Sequence, residues 1–378
     1  MYTVLTGSKN NAGDFLIKYR AKQLFKELRP DREIIDFNAW EKFDSEKLDT
    51  VNKSKALILL GGPSLQRRMR PDIYKMTENL DDIKVPIVTM GIGWKSLPGD
   101  WENTYNYPLS EESIALLDRV NNSGFLSSVR DYHTLNSLRF KGFENVLMTG
   151  CPAYYDLNYI GKDLPNPGNN KIAFSLGVSF IDSQSMEKIM KDNILECKKQ
   201  FQDKIFEVVF HHSLDKRHFL STHGSSRKHN ESHRAFAKWL DKQSISYVDI
   251  SGSAENLMNY YENVDLHIGY RVHAHLFMNS ISKFSILMSE DGRAKGAKDV
   301  IGGIVLDGFT DFKSGFISKV FNRLLKNYDK YIANEYLTKE IISNVNYEKK
   351  IDFMRIKNSR NQIDNNFNVM KQFLRQLP

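Results

Sequence analysis

A chain of 378 residues is too long for a single compact core, so its length predicts two domains. Hydrophobic residues make up 41% and charged residues 26%, which is ordinary for a soluble globular protein. The formal net charge of +7 favours anionic partners: phosphorylated small molecules, nucleic acid or an anionic membrane surface.

The cysteine content and the apolar runs predict a cellular location. There are two cysteines and no C-x-x-C pair, so a disulfide scaffold or a structural zinc site is not expected. The N-terminus lacks the basic start and long apolar core of a signal peptide. No apolar run approaches the roughly 20 residues that cross a bilayer. We therefore expect a cytoplasmic protein that is soluble or at most peripheral to a membrane.

Short apolar runs alternate with helical patterns from the first residue onwards. Strands are predicted at 2–6, 33–37, 56–60, 86–90, 124–129 and 146–149, and then at 171–176, 206–210, 246–250, 265–268 and 284–288. Helical patterns at 15–28 and 230–240 are examples of the segments between them. Strand–helix alternation is typical of parallel sheets covered on both faces. The sequence therefore predicts an α/β fold with two doubly wound, Rossmann-like domains.

A stretch rich in Gly, Pro and Asn divides the two series of strands. Residues 158–171 have the composition of an interdomain linker, which places the domains at 1–160 and 170–340. The tail at 345–378 is polar and basic, with apolar residues at helical spacing. It fits either a helical tail packed back on the first domain or a solvated tail. It would also suit a protein that works beside a membrane.

Candidate ligand-binding residues follow the predicted strands, because open α/β sheets bind ligands beyond the carboxyl ends of their strands. After the first strand, Gly13 permits close approach of a ligand, and Asp14 is predicted to cap the helix that starts at Phe15. Gly61 and Gly62 form a glycine-rich turn after the third strand. A helix cap and a tight turn explain the same residues without any ligand.

Two later strand ends carry charged or titratable side chains. Arg130 and Asp131 stand where the strand 124–129 ends, and they fit a ligand site as well as an ion pair that fixes a strand–helix corner. His212 follows the strand 206–210 and is a further candidate.

The stretch D-L-H-I-G-Y-R-V-H-A-H places Arg271 and His273 where a strand meets a helix. A helix N-terminus carries partial positive charge, so a cation is unfavourable there unless a bound anion satisfies both. Arg271 offers a fork for carboxylate or phosphate, and His273 titrates near neutral pH. The alternative is an Arg271 paired with Asp265 or Glu262.

The next strand is followed by Arg293 and Lys295. Two adjacent strands would then place four cationic side chains at one edge of the sheet: Arg271, His273, Arg293 and Lys295.

The histidines do not predict a metal site, although nine of the ten lie between residues 211 and 275. His273 and His275 are two residues apart and do not share a helix face. No H-E-x-x-H motif and no set of cysteine ligands occurs. We therefore predict neither a metal nor a cofactor.

The order of these motifs resembles the polysaccharide pyruvyltransferase family over roughly residues 3 to 300. The motifs that carry the resemblance are N-N-A-G-D (10–14), L-L-G-G-P-S-L (59–65), S-V-R-D (128–131), G-C-P (150–152) and R-V-H (271–273). The resemblance implies two Rossmann-like domains that face a cleft, as in GT-B-like glycosyltransferases. It also implies transfer of the enolpyruvyl group of phosphoenolpyruvate onto two hydroxyls of a sugar, which makes a ketal and releases phosphate.

The resemblance suggests roles for the candidate residues. Arg271 would bind an anionic group of phosphoenolpyruvate, and His273 would be the general acid that protonates its methylene carbon. Asp14 or Asp131 would orient or deprotonate the acceptor. Three further cations would stabilise the departing phosphate: Arg130, Arg293 and Lys295.

Two other functions remain open at this point. A glycosyltransferase of the same fold would use a nucleotide-sugar donor, with the cations on its diphosphate and His212 or a carboxylate as base. A non-catalytic member of a polysaccharide-assembly complex would keep the fold without turnover. Nucleic-acid binding is not expected, because the basic residues are dispersed and no recognition module occurs.

Overall fold

The computed structural model describes residues 1–7, 11–162, 168, 170–220, 226–312, 329 and 331–378. The linker predicted at 158–171 therefore lies partly outside the described residues. Within the described ranges, each helix is too short or too polar to cross a bilayer.

The first half of the chain forms a parallel sheet with the strand order β2-β1-β3-β4. Two further parallel strands, β5 and β6, continue this sheet, since Gly91 beyond β4 donates a backbone hydrogen bond to Ser128. The strands are β1 (Tyr2–Thr6), β2 (Ile34–Asn38), β3 (Leu57–Leu60), β4 (Ile87–Met90), β5 (Ser127–Val129) and β6 (Val146–Met148). The helices are α1 (Ala12–Leu28), α2 (Ser45–Lys53), α3 (Glu102–Tyr105), α4 (Glu111–Asn121) and α5 (Tyr132–Arg139).

The second half forms a six-stranded parallel sheet with the order β12-β11-β10-β7-β8-β9. Its strands are β7 (Lys171–Ser175), β8 (Ile205–Phe210), β9 (Ser246–Asp249), β10 (Leu266–Gly269), β11 (Phe284–Ser289) and β12 (Ile304–Asp307). The helices are α6 (Gln184–Gln200), α7 (Lys216–Leu220), α8 (Arg227–Lys242), α9 (Ala254–Tyr261), α10 (Val272–Ser280) and α11 (Gly292–Ile301).

The chain then forms an antiparallel pair and two helices. These elements are β13 (Phe309–Phe312), β14 (Tyr331–Ala333), α12 (Leu337–Lys350) and α13 (Met354–Gln376). The predicted α/β architecture of two parallel, GT-B-like units with C-terminal helices is confirmed by this topology.

Each parallel sheet has a point where the direction of strand addition reverses. In the first sheet the reversal lies between β1 and β3, and in the second it lies between β7 and β10. Ligands of doubly wound folds bind beyond the strand ends at such points. Gly7, Gly61 and Gly62 stand at the first reversal, and Arg271 stands at the second.

The helix α1 begins earlier than predicted. It starts at Ala12 and not at Phe15, because Asn11 is the capping residue and its side chain accepts a hydrogen bond from Gly13 N. Asp14 therefore lies in the first turn, and the prediction that it caps the helix is wrong. Asp131, by contrast, does cap a helix: it caps α5 through a bond from Thr134 N.

The helix α13 packs against the first half of the chain. Its apolar side chains Phe367, Met370, Phe373 and Leu374 are buried in the same core cluster as β1 and β3. Arg29 at the end of α1 donates hydrogen bonds to Leu374 O and Leu377 O, at 3.1 and 2.7 Å. The last turn of α13 is thus held by a side chain at the end of α1.

Candidate active site

The first turn of α1 brings a carboxyl group to the cleft. Asn11 Nδ2 donates to Asp14 Oδ2 at 3.1 Å, so one amide side chain both caps the helix and orients the carboxyl. Burial raises the pKa of Asp14 to about 6, although Arg293, Asn11 and Arg130 act to lower it. Asp14 is therefore a carboxyl group that can exchange a proton near neutral pH.

Gly13 is the place where the two halves of the chain meet most closely in the site. A Cβ added at Gly13 would lie 2.0 Å from His273 Nδ1, so only glycine admits the imidazole. His273 is 7% exposed, and its Nε2 has no hydrogen-bond partner among the described residues. Gly13 thus makes room for a neighbouring side chain and not for a ligand itself.

Arg271 is held at the reversal point between β7 and β10. Its backbone N–H donates to Ser175 Oγ at 3.0 Å, and its Nε donates to Leu176 O at 2.8 Å. Its Nη2 lies 2.6 Å from Nδ1 of His212. The ion pair with Asp265 or Glu262 does not form, because the Asp265 carboxylate instead accepts bonds from the backbone at Asn170 and Lys171.

Arg130 enters the site from the first sheet. Its guanidinium lies on the backbone of Gly93, where an added Cβ would be 2.0 Å from Nε. Nε also lies 3.5 Å from Asp131 Oδ2, while the other Asp131 oxygen accepts bonds from Thr134. The Nη2 of Arg130 is buried and has no hydrogen-bond partner in the described part of the chain. A buried, unused donor of this kind is suited to bind an anion.

The two cations after β11 diverge. Arg293 forms a two-pronged ion pair with Asp291, with Nη2 2.7 Å from Oδ2, and this charge raises the pKa of Arg293. Lys295 instead forms an ion pair with Asp100 at 2.7 Å and lines a separate groove. The structure therefore brings Arg130, Arg271 and Arg293 together but leaves Lys295 outside.

The three arginines act on one imidazole. Burial, together with the positive charges of Arg130, Arg293 and Arg271, lowers the pKa of His273 to about 3. His273 is therefore neutral at pH 7. Asp291 already offsets the charge of Arg293, so the group best placed to bind an anionic ligand is the buried Nη2 of Arg130, which has no hydrogen-bond partner in the described part of the chain.

A cavity of about 1130 Å³ opens beside Asp14. Its walls come from the strand ends of the first sheet and include Gly61, Gly62, Trp40, Tyr74 and, from the second sheet, His212. Gly61 and Gly62 have φ values of +55° and +71°, a left-handed conformation that favours glycine. The glycine-rich turn therefore shapes the cavity wall next to the carboxyl group.

The remaining histidines near the R-x-H motif are structural. His275 Nδ1 lies 2.7 Å from Ser285 Oγ, and His267 lies between Ser285 Oγ and Ser175 Oγ. His275 therefore points into the core and away from His273, as the two-residue spacing predicted.

Three residues of the site are not among the candidate ligand-binding residues that the sequence predicts. Asn11 orients Asp14, Gly93 admits Arg130, and Glu290 accepts hydrogen bonds from Val178 N and Ser179 N at 2.7 and 2.6 Å. The sequence signal for Gly93 is the G-I-G after β4. The carboxylate of Glu290 carries no such signal, because its partners are backbone groups distant in the chain.

A family model for polysaccharide pyruvyl transferase matches residues 11–277. The chain belongs to this family. The match runs from the cap of α1 to the middle of α10, so the polysaccharide pyruvyl transferase region contains Asp14, Arg130, Arg271 and His273. No curated protein matches the chain.

Several solved structures are similar to this member of the polysaccharide pyruvyl transferase family. UDP-GlcNAc 2-epimerase of Methanocaldococcus jannaschii, solved with UDP-GlcNAc and UDP, is 12% identical, with 92% of this chain and 99% of that chain covered and a TM-score of 0.45. MnaA of S. aureus with UDP is 11% identical, with 93% and 96% covered and a TM-score of 0.47. A trehalose-phosphate synthase of Burkholderia vietnamiensis is 10% identical, with 87% and 72% covered and a TM-score of 0.46.

Proposed function

We propose that the protein transfers the enolpyruvyl group of phosphoenolpyruvate onto two hydroxyls of a sugar in a surface polysaccharide or its lipid-linked precursor. The observation that carries this proposal is the convergence of Arg130, Arg271 and Arg293 around His273, with Arg130 Nη2 unused. Phosphoenolpyruvate has both a carboxylate and a phosphate, so it matches several guanidinium groups better than a singly charged ligand does.

Asp14 is the proposed proton donor in the first step. Asp14 has a raised pKa of about 6, and the negative charge of bound phosphoenolpyruvate would favour its protonated form further. The carboxyl proton passes to the methylene carbon, and the neighbouring carbon becomes oxocarbenium-like. The first sugar hydroxyl bonds to that carbon and gives its proton back to Asp14. Asp131 is not the proposed base, because Thr134 and Arg130 already engage both of its oxygens.

The second step completes the ketal. The C–O bond to phosphate breaks, the arginines stabilise the leaving phosphate, and the second hydroxyl bonds to the same carbon. The proton of the second hydroxyl leaves with the phosphate. His273 enters the cycle as a neutral imidazole, so it is a hydrogen-bonding group that becomes an acid only when a bound anion raises its pKa.

The position of Glu290 argues against a nucleotide-sugar donor. The first strand–helix turn of a Rossmann-like unit is the usual place for a nucleotide diphosphate. In the second unit this turn follows β7, and its Val178 and Ser179 N–H groups already bind the Glu290 carboxylate. A Cβ on Gly177 would lie 2.2 Å from Glu290 Oε1, so the carboxylate fills the turn. The glycosyltransferase function is therefore the less well supported one.

The large cavity is the proposed acceptor site. At about 1130 Å³ it slightly exceeds the usual size of about 300–1,000 Å³ for small-molecule pockets, which suits more than one sugar ring. The partly exposed Trp40 supplies an aromatic ring to its lining. Four lysines line the same cavity: Lys18, Lys42, Lys75 and Lys95. Lys18 and Lys42 form ion pairs with Asp36 and Glu78, so Lys75 and Lys95 are the cations that would favour an acceptor with an acidic or phosphate group.

A lipid-linked acceptor would bring the protein to the inner face of the membrane. The apolar face of α13 is buried, so it is not available to a membrane. Contact with an anionic membrane would instead use exposed basic side chains, such as those of the tail. Binding to vesicles of anionic lipid at low salt would support this location, and equal partitioning with neutral vesicles would contradict it.

A thermal-shift panel tests the donor. Phosphoenolpyruvate, phosphate, UDP and UDP-sugars are compared on the wild type, Arg130→Ala and the exposed control Arg139→Ala. A ligand at about 100 times its Kd adds about 2.7 kcal/mol to the free energy of unfolding. We expect stabilisation by phosphoenolpyruvate in the wild type and the control, and none in Arg130→Ala. Stabilisation by nucleotides without a response to phosphoenolpyruvate would overturn the proposal in favour of a glycosyltransferase.

A further inference from the structure

Three histidine side chains form a cluster behind Arg271, and the proposed reaction uses none of them. His212 follows β8, while His229 and His233 lie one turn apart on α8 and share a helix face. One ring nitrogen of each lies within 4.8 Å of a ring nitrogen of each of the others. The rings of His229 and His233 are 4.9 Å apart at their centroids. Imidazole nitrogens that converge in this way are the usual ligands of a transition metal.

The protonation of the cluster suits metal binding. His233 Nδ1 lies 2.9 Å from the backbone oxygen of His229, so Nδ1 carries the hydrogen and Nε2 carries the lone pair. A backbone carbonyl on the second ring nitrogen is the common arrangement around metal-bound histidines. Burial, with the charge of Arg271, lowers the pKa of His229 to about 4, and burial lowers that of His233 to about 3. Both are therefore neutral at pH 7, as a ligand must be.

We propose that His212, His229 and His233 bind one divalent transition-metal ion, with Zn²⁺ the best match. Three neutral imidazoles favour Zn²⁺ over Mg²⁺ or Ca²⁺, which take oxygen ligands. A set of three histidines leaves a fourth position open for water or an anion. His212 also lines the large cavity, so the ion would lie beside the space where substrates are proposed to bind.

Binding of the ion to His212 must break the contact between His212 and Arg271. A guanidinium group can only donate, so the lone pair of His212 is on Nδ1, the atom that Arg271 Nη2 contacts at 2.6 Å. A neutral imidazole has one such lone pair. The ion and Arg271 therefore compete for His212, whichever ring nitrogen the metal takes. Metal binding would release Arg271 Nη2 towards a bound anion.

Calorimetric titration of the chelator-treated full-length protein with Zn²⁺ tests the site, without phosphoenolpyruvate. We expect one equivalent to bind. His229→Gln and His233→Gln should each weaken binding by at least about 100-fold, since each removes a ligand. Arg234→Gln, on the exposed side of the same helix, should bind like the wild type. Arg271→Ala should bind more tightly, because the competing donor and its charge are gone.

Two outcomes would overturn the proposal: no uptake of Zn²⁺ by the wild type, or histidine variants that bind as tightly as the wild type. The cluster would then be an aromatic packing group of His233 with Phe180 and Phe210. If a variant does not fold, the visible spectrum of Co²⁺ bound to the wild type decides. A tetrahedral spectrum supports the site, and an octahedral spectrum contradicts it. None of these results depends on the proposed donor.

Discussion

Asp14 combines a half-buried carboxyl group with a pKa of about 6, and this has a consequence for stability. The folded pKa lies above the ordinary value of 3.8, so the folded state holds its proton more tightly than the unfolded chain does. The contribution of Asp14 to the free energy of unfolding is therefore largest below pH 4, and it is lost as the pH rises towards about 6.

Replacement of Asp14 by Asn should remove this pH dependence. We expect the wild type to lose about 1 to 2 kcal/mol relative to Asp14→Asn between pH 4 and pH 6.5, a value reduced for the partial exposure of the carboxyl group. The measurement is denaturant unfolding of both proteins across that range. A constant difference between them would contradict the raised pKa. Turnover of Asp14→Asn should fall at least about 100-fold if Asp14 transfers the proton.

At the scale of one element, the first turn of α1 joins helix capping to the chemistry of the site. Asn11 uses its side-chain oxygen for Gly13 N and its amide hydrogens for Asp14 Oδ2. The two functions can be separated, because serine caps a helix about as well as asparagine but cannot donate to Asp14 in the same way.

Asn11→Ser should keep the stability of the protein and raise the pKa of Asp14 above about 6, since the bond from Asn11 lowers that pKa. Asn11→Ala should raise the pKa equally and also cost about 1 kcal/mol of stability. The midpoint of the pH dependence of unfolding, measured for both variants, distinguishes the effects. Unchanged midpoints in both would show that Asn11 does not influence the carboxyl group.

The elements themselves are largely predictable from the sequence, whereas their side-chain partners are not. Leu57–Leu60 and Ile87–Met90 are buried throughout, so continuous apolar runs mark them well. The start of α1 is missed because Asn11 and Asp14 are both good capping residues and only the backbone geometry separates them. The spacing of His229 and His233 is visible as one helical turn, but His212 joins them only through the tertiary fold.

At the scale of the whole molecule, the site depends on contacts between residues distant in the chain. The approach of His273 to Gly13 and the ion pair of Lys295 with Asp100 both join the two halves. Local pattern places His273 and Lys295 after strand ends, yet it does not show that Lys295 turns away from the arginines. The sequence therefore predicts the position of a residue along the chain but not the orientation of its side chain.

The contact between Arg29 and the last turn should contribute strongly to stability. Arg29 donates to buried carbonyl groups of Leu374 and Leu377. Leu374 O also accepts a bond from Leu377 N at 3.4 Å, so in Arg29→Ala the Leu377 carbonyl is the one that loses its partner. We expect a loss of about 3 kcal/mol, seen as a lower thermal midpoint. The control is Arg32→Ala, which removes an ion pair with the exposed Asp31 and should cost less than about 1 kcal/mol. Equal midpoints for the two variants would contradict this account.

Tyr2 donates a hydrogen bond from its hydroxyl to Pro378 O at 2.5 Å, across 376 positions of the chain. The core that contains β1 also contains Phe373 and Leu374. During synthesis the earliest strands leave the ribosome long before these residues are made, although most proteins complete their N-terminal domain first. Until Phe373 and Leu374 have emerged, the first sheet keeps an uncovered apolar surface, to which a chaperone that recognises such surfaces can bind.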